Sequence, residues 1–149
     1  MRISLHSEYA FRMLIHAALR APELTTVGEI ADDFGLSATH LSKVAQTLAA
    51  EGYLQTVRGR SGGLRLARDP KTIRLGEVAR ATEPDFYMAP CMSPESDGCP
   101  IYDPCRLRGV LSQASEAFLA ELNRSTLADL MEKRNAMLVR IEAVRAAQK

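Results

Sequence analysis

Cys91, Cys99 and Cys105 follow a Cys-x7-Cys-x5-Cys pattern, and each adjoins a proline (Pro90, Pro100 and Pro104). They are the only cysteines in the chain. An odd number of thiols crowded into one segment is a poor disulfide framework. In a reducing compartment it points instead to metal or redox chemistry. Proline stiffens the segment and lowers the entropy lost when three thiolates converge on one site. Structural zinc takes four closed tetrahedral ligands, and neither a fourth cysteine nor a nearby histidine accompanies the three. Iron–sulfur clusters are held by cysteine and accept a weaker fourth ligand, so the ligand count favours a cluster over zinc. Met88 and Met92, beside Cys91, read as pocket lining. The competing class is a thiol redox enzyme, but the chain has no Cys-x-x-Cys pair and no identifiable general base near the thiols.

The elements around the cysteines are readable from pattern. Residues 84–105 hold five of the seven prolines (84, 90, 94, 100 and 104) and all the cysteines, so this is a loop. A short helix from about Gly76 to Thr82 leads into it. From Arg106 the pattern is helical, with Leu107, Val110, Leu111, Ala114, Phe118 and Leu122 on one stripe. Ser125 or Thr126 is a fresh N-cap, and Leu127, Leu130, Met131, Leu138 and Ile141 continue an amphipathic final helix. The stripe from Leu107 onward exceeds what a small monomer needs. It reads as a dimerisation helix, which would set two recognition helices one DNA turn, or ~34 Å, apart.

Upstream of the loop the pattern is a DNA reader. Ser7 caps a first helix from about Glu8 to Arg20, with Phe11, Leu14, Ile15 and Ala18 on one face, and Ala21-Pro22 ends it. A second helix begins at Thr26 or Val27 and breaks at Gly35. Ser37 starts a third, which Gly52 stops. Ala31 lets the two helices cross closely, Gly35 takes the left-handed turn, and Leu41 and Val44 pack the later helix back on the earlier one. That spacing leaves Ser37, Thr39, His40 and Lys43 facing outward, where a major groove would be read. Leu54–Val57 and Leu64–Leu66 then flank Arg58-Gly-Arg-Ser-Gly-Gly63, a hairpin whose glycines allow close approach to DNA. Arg58, Arg60 and Arg65 supply charge for a narrow, negative minor groove. No Lys-Ser/Thr follows these glycines and no long helix opens after them, which argues against a nucleoside-triphosphate site.

The net charge of +1 hides an uneven distribution. Residues 54–74 carry six bases (Arg58, Arg60, Arg65, Arg68, Lys71, Arg74) against Asp69. Residues 75–105 carry six acids (Glu77, Glu83, Asp85, Glu95, Asp97, Asp103) against Arg80. A hydrophobic fraction of 46% with 25% charge is that of an ordinary globular protein. No apolar run is long enough to span a bilayer and no signal sequence is evident, so the expected location is cytoplasmic, away from membranes.

The residues resemble the winged-helix iron–sulfur transcriptional repressor family over nearly the whole chain. The resemblance is carried by Tyr9-Ala-Phe-Arg12, the Ile30–Val44 reader, Val57-Arg-Gly-Arg-Ser-Gly-Gly-Leu-Arg-Leu66 and the three cysteines. The run Cys105-Arg-Leu-Arg-Gly-Val-Leu, with Ala117-Phe-Leu and Thr126-Leu-Ala-Asp-Leu130, is most similar to the nitric-oxide-sensing members. The cysteine spacing is closer to the iron-responsive members. Members that regulate cluster assembly carry a ligand histidine three residues after the last cysteine, where this chain has Arg108. In nitric-oxide sensors an aspartate near the start of helix one, from the partner subunit, completes the cluster, and Glu8 stands at that place. An acid stabilising the first helical turn is the other reading of Glu8; His6 and His16 are further ligand candidates.

The expectation is therefore a mainly α protein: a winged helix-turn-helix with a small β-hairpin wing and a long C-terminal dimerisation helix. The DNA-binding domain spans 1–82, the cluster loop 83–105, and the dimerisation and C-terminal helices 106–149. The resemblance implies a homodimeric, non-enzymatic repressor of a palindromic operator in double-stranded DNA. It would sense nitric oxide through an iron–sulfur cluster, [4Fe–4S] in preference to [2Fe–2S]; an iron- or redox-responsive regulator is the alternative.

Overall fold

The computed structural model describes residues 2–95 and 99–147; Asp97 of the acidic run lies outside them. The chain runs α1 (Leu5–Arg20), α2 (Val27–Phe34), α3 (Ala38–Ala50), β1 (Leu54–Val57), β2 (Gly63–Leu66), α4 (Leu75–Thr82), α5 (Leu107–Leu122) and α6 (Arg134–Ala147). Short 3₁₀ turns occupy Pro70–Thr72, Pro90–Met92 and Asp129–Lys133. The two strands pair antiparallel in the register Leu54↔Leu66 to Val57↔Gly63. This is the mainly α winged-helix arrangement expected from the pattern.

Helix α1 is the hub of the core and packs against α3, α4 and β2. Its Met13 and Leu14 join Ile30 of α2, Leu41, Val44 and Leu48 of α3, Val78 of α4 and Leu127 in one buried cluster. Each such side chain contributes roughly 1.5–3 kcal/mol by leaving water. The start of α1 differs from expectation. Ser4, not Ser7, is the N-cap, and its Oγ accepts the Ser7 N–H at 3.2 Å. Ser7 is buried inside the helix, with its Oγ 2.8 Å from Thr82 Oγ1. Ser4 has the same capping chemistry, and its own N–H reaches Glu83 Oε1 at 2.8 Å, which favours the earlier start.

In the C-terminal part the fully buried face of α5 is Ser115 and Leu119, while Leu111, Phe118 and Leu122 of the apolar stripe are half-buried and Leu107, Val110 and Ala114 are exposed. Leu119 is 1% exposed, whereas Leu107 and Val110 are 56% and 57% exposed. The final helix is also interrupted. Thr126 and Asp129 exchange hydrogen bonds, and Leu127 N–H donates to Ile73 O at 2.9 Å. This pins the segment against the core, buries Leu127, and delays α6 until Arg134.

Candidate DNA interface and metal centre

The reader is held by local chemistry at each corner. Thr26 and Glu29 form a reciprocal capping box at the start of α2. Gly35 takes φ 63°, a left-handed conformation in which a side chain is disfavoured, and Leu36 N–H returns to Ala31 O at 2.9 Å. Ser37 then caps α3, accepting the His40 N–H at 3.5 Å. With Leu41, Val44 and Leu48 buried, Thr39, His40 and Lys43 are left exposed along with Ser37. Beside them, α1 contributes three residues, Leu5, His6 and Tyr9, that the sequence pattern did not single out for this face. His6, Tyr9, His40 and Lys43, with Leu5 and Val44, line a cavity of about 190 Å³. The Tyr9 and His40 rings lie 6.5 Å apart, and His6 Nε2 is 3.2 Å from Thr47 Oγ1.

The wing is anchored at its base and open at its tip. Thr25 and Leu64 exchange backbone hydrogen bonds of 3.0 and 2.6 Å, fastening β2 to the segment before α2. A side chain at Gly63 would meet Thr25 O at 2.6 Å, so this approach requires glycine. Arg58 and Arg60 are exposed at the tip, and Arg65 is exposed on β2, where its Nε donates to Gln55 Oε1 at 3.0 Å. Two bases of the expected patch serve the fold instead. Arg68 caps the end of α3 through Glu51 O and Gly52 O, at 2.7 and 3.0 Å, and stacks over Tyr53. Arg74 Nη1 donates to Asn123 O at 2.7 Å.

The thiols all lie on the loop between α4 and α5. Cys91 is half-buried on the Pro90–Met92 turn, Cys99 is exposed, and Cys105 is half-buried just before α5. Cys105 faces an open groove with Tyr102, Asp103, Arg108, Gly109 and Ser112. The Arg108 guanidinium donates to Tyr102 Oη and lies over its ring. Met92 Sδ accepts the Met88 N–H at 3.3 Å, and Met88 lines a cavity with Ile3, Phe86 and Phe118. Among the described residues no three His, Cys, Asp or Glu side chains gather at one point. The donor chemistry nevertheless fits an iron–sulfur group: three soft thiols, accessible to different degrees, on a proline-rich segment.

The other ligand candidates are engaged within the chain. Glu8 pairs with Arg12 at 2.5 Å, one turn along α1, and both side chains are 38% exposed. At that exposure the pair contributes roughly 0–1 kcal/mol and leaves the carboxylate accessible. His16 is fully buried and bonded to Asp33 and Thr25, so it is unavailable as a ligand.

The architecture and motifs have counterparts among known proteins. A family model described as "Rrf2: Iron-dependent Transcriptional regulator" matches residues 3–133. The chain belongs to the Rrf2 family. It is 39% identical to the HTH-type transcriptional regulator NsrR of Bacillus subtilis (strain 168), covering 93% of this chain and 95% of that one. It is 41% identical to the NsrR of Geobacillus kaustophilus (strain HTA426), covering 92% and 94%. Among solved structures, a putative transcriptional regulator from Listeria innocua superposes with a TM-score of 0.71 at 25% identity, covering 89% of this chain and 87% of that one. This Rrf2 member is thus a DNA-binding transcription regulator of the winged-helix type, and its relatives are regulators rather than enzymes. Among the described residues no helix is long and apolar enough to cross a membrane.

Proposed function

We propose that the chain is a homodimeric, cytoplasmic repressor that binds a palindromic operator and releases it in response to nitric oxide. The observation that carries the DNA contact is the exposed row Ser37, Thr39, His40 and Lys43 on a helix whose opposite face is locked in the core. Arg58, Arg60 and Arg65 add a wing for the neighbouring minor groove. The exposed start of the α5 stripe, Leu107 and Val110, supports association with a second copy.

Cys91, Cys99 and Cys105 would hold an iron–sulfur cluster, [4Fe–4S] in preference to [2Fe–2S], with the partner's Glu8 as a candidate fourth ligand. When bound, such a group supplies iron that reacts with nitric oxide. The chain's own residues connect that loop to the reader. Glu83, at the entrance to the loop, accepts the Ser4 N–H, and Thr82 meets Ser7 in a buried pair. Both bonds hold the first turn of α1, which packs on α3 and carries Glu8. A change in the loop therefore acts on the helix against which the reader rests. An iron- or redox-responsive regulator using the same residues is the second reading, favoured by the cysteine spacing.

Metal and sulfide analysis of anaerobically purified chain tests the cofactor. The expected outcome is a coloured protein with iron and acid-labile sulfide. A colourless protein holding zinc tightly would overturn the sensor reading.

A further inference from the structure

Between the reader and the C-terminal helix lies a buried polar cluster that neither the DNA surface nor the cysteine loop uses. His16 of α1 and Asp33 of α2 have fully buried side chains, with Nε2 and Oδ2 2.7 Å apart. On the other side of the ring, His16 Nδ1 is 3.0 Å from Thr25 Oγ1, which is 3.4 Å from Glu29 Oε2. From α6, Arg145 grips both carboxylate oxygens of Asp33: Nε bonds Oδ1, and Nη2 donates to Oδ2 at 2.9 Å. Phe34 closes the site edge-on against the imidazole.

The charges are arranged to be compensated. Burial pushes the Asp33 carboxyl up, but hydrogen bonds from Arg145 and His16 outweigh it and hold Asp33 below its ordinary range. Burial draws His16 below the ordinary imidazole value of 6.5, against the opposing pull of Asp33; Arg20 adds to the lowering and Glu29 opposes it. Neutral His16 is fully satisfied, with Nε2–H donating to Asp33 and Nδ1 accepting the Thr25 hydroxyl. A doubly protonated ring would donate from Nδ1 to Thr25, whose hydroxyl would turn to Glu29. Apolar side chains would fill this space without burying charge, so a specific geometric role is the better account.

That geometry has a clear target. The Thr25 backbone is the anchor of the wing strand at Leu64. Glu29 closes the capping box of α2, and Asp33 stands two residues before the Gly35 turn into α3. One cluster thus touches the base of the wing, the helix that feeds the reader, and α6. We infer that Arg145, acting through Asp33, His16 and Thr25, is a positioning residue that fixes the reader and the wing in one relative geometry. Through it α6 controls discrimination among DNA sequences rather than general affinity for DNA. The inference rests on α3 and the wing being the DNA surface.

The test uses the full chain and two probes: a duplex it selects from a randomised pool, and a random duplex of equal length. If the wild type selects no sequence, the DNA-surface reading falls and the relay with it. Arg145→Ala should bind the selected duplex about tenfold more weakly, the size of one lost base-pair match, and the random duplex within about twofold. Its salt dependence should be unchanged, because no phosphate contact is lost. Arg145→Lys, which keeps the charge without the fork, should fall between the two. Wild-type affinity for the selected duplex, or equal losses on both duplexes, would overturn the inference. A second variant reads the histidine. Below its ordinary value of 6.5 the unfolded chain takes up a proton that the buried ring resists, so the geometry loosens as pH falls. Wild-type affinity for the selected duplex should drop as pH falls below the ordinary 6.5, and His16→Gln should flatten that drop. Identical profiles would exclude His16 from the relay.

Discussion

The part of the chain before the cysteine loop and the segment made of the loop and α5 satisfy themselves to very different degrees. In residues 2–82, helix caps, the Gly35 turn, the wing anchor at Thr25 and the Met13–Leu14–Ile30–Leu41 core are completed by neighbours within the same chain. In the loop and α5, the thiols stand apart along the segment and the Leu107 and Val110 end of the stripe is exposed, while Leu119 is buried and Ser115 Oγ donates to Phe86 O of the loop. The first part is a finished fold, which the proposed function makes the platform for DNA. The second has the character of a part completed by something else, which is what a regulator needs if a ligand and a second copy are to change its behaviour.

The seam between the two parts carries the largest expected effect. Leu119→Ala removes the buried anchor of α5 and should cost about 2–5 kcal/mol. Denaturant unfolding should show the loss, together with weaker self-association measured by sedimentation. Full stability would mean that α5 does not depend on the first part. A smaller effect sharpens the other side. Arg60→Ala should weaken binding to DNA and reduce the log–log salt slope by about 1, leaving the fold intact by circular dichroism. An unchanged slope would remove the wing tip from the phosphates.

What the sequence made legible follows the range of the interactions. Thr26, Gly35, Ser37 and Gly52 act over one helical turn, and their roles are readable from spacing alone. The α5 stripe was legible as a helical face, but not which face meets the chain. Leu119 is chosen by α4, where a side chain at Gly76 would meet Leu119 O at 2.5 Å, and Ser115 by the Phe86 carbonyl of the loop. Ser4 displaced Ser7 as the cap because of Glu83, far along the chain. Arg68 and Arg74 counted as surface charge, yet each is committed to a backbone carbonyl in the fold. The His16–Asp33–Arg145 cluster joins residues separated by 17 and 112 positions, and no local pattern announces it. The cysteines were legible as a set by type and spacing, while their convergence depends on the group they would hold.

In the proposed function, the state of the cysteine loop controls DNA binding by residues 2–82. The most direct test measures the affinity of anaerobically purified, iron-containing chain for its selected duplex while nitric oxide is titrated in. The account predicts that affinity falls toward the non-specific level as the chain's colour bleaches. Undiminished affinity through complete bleaching would contradict it.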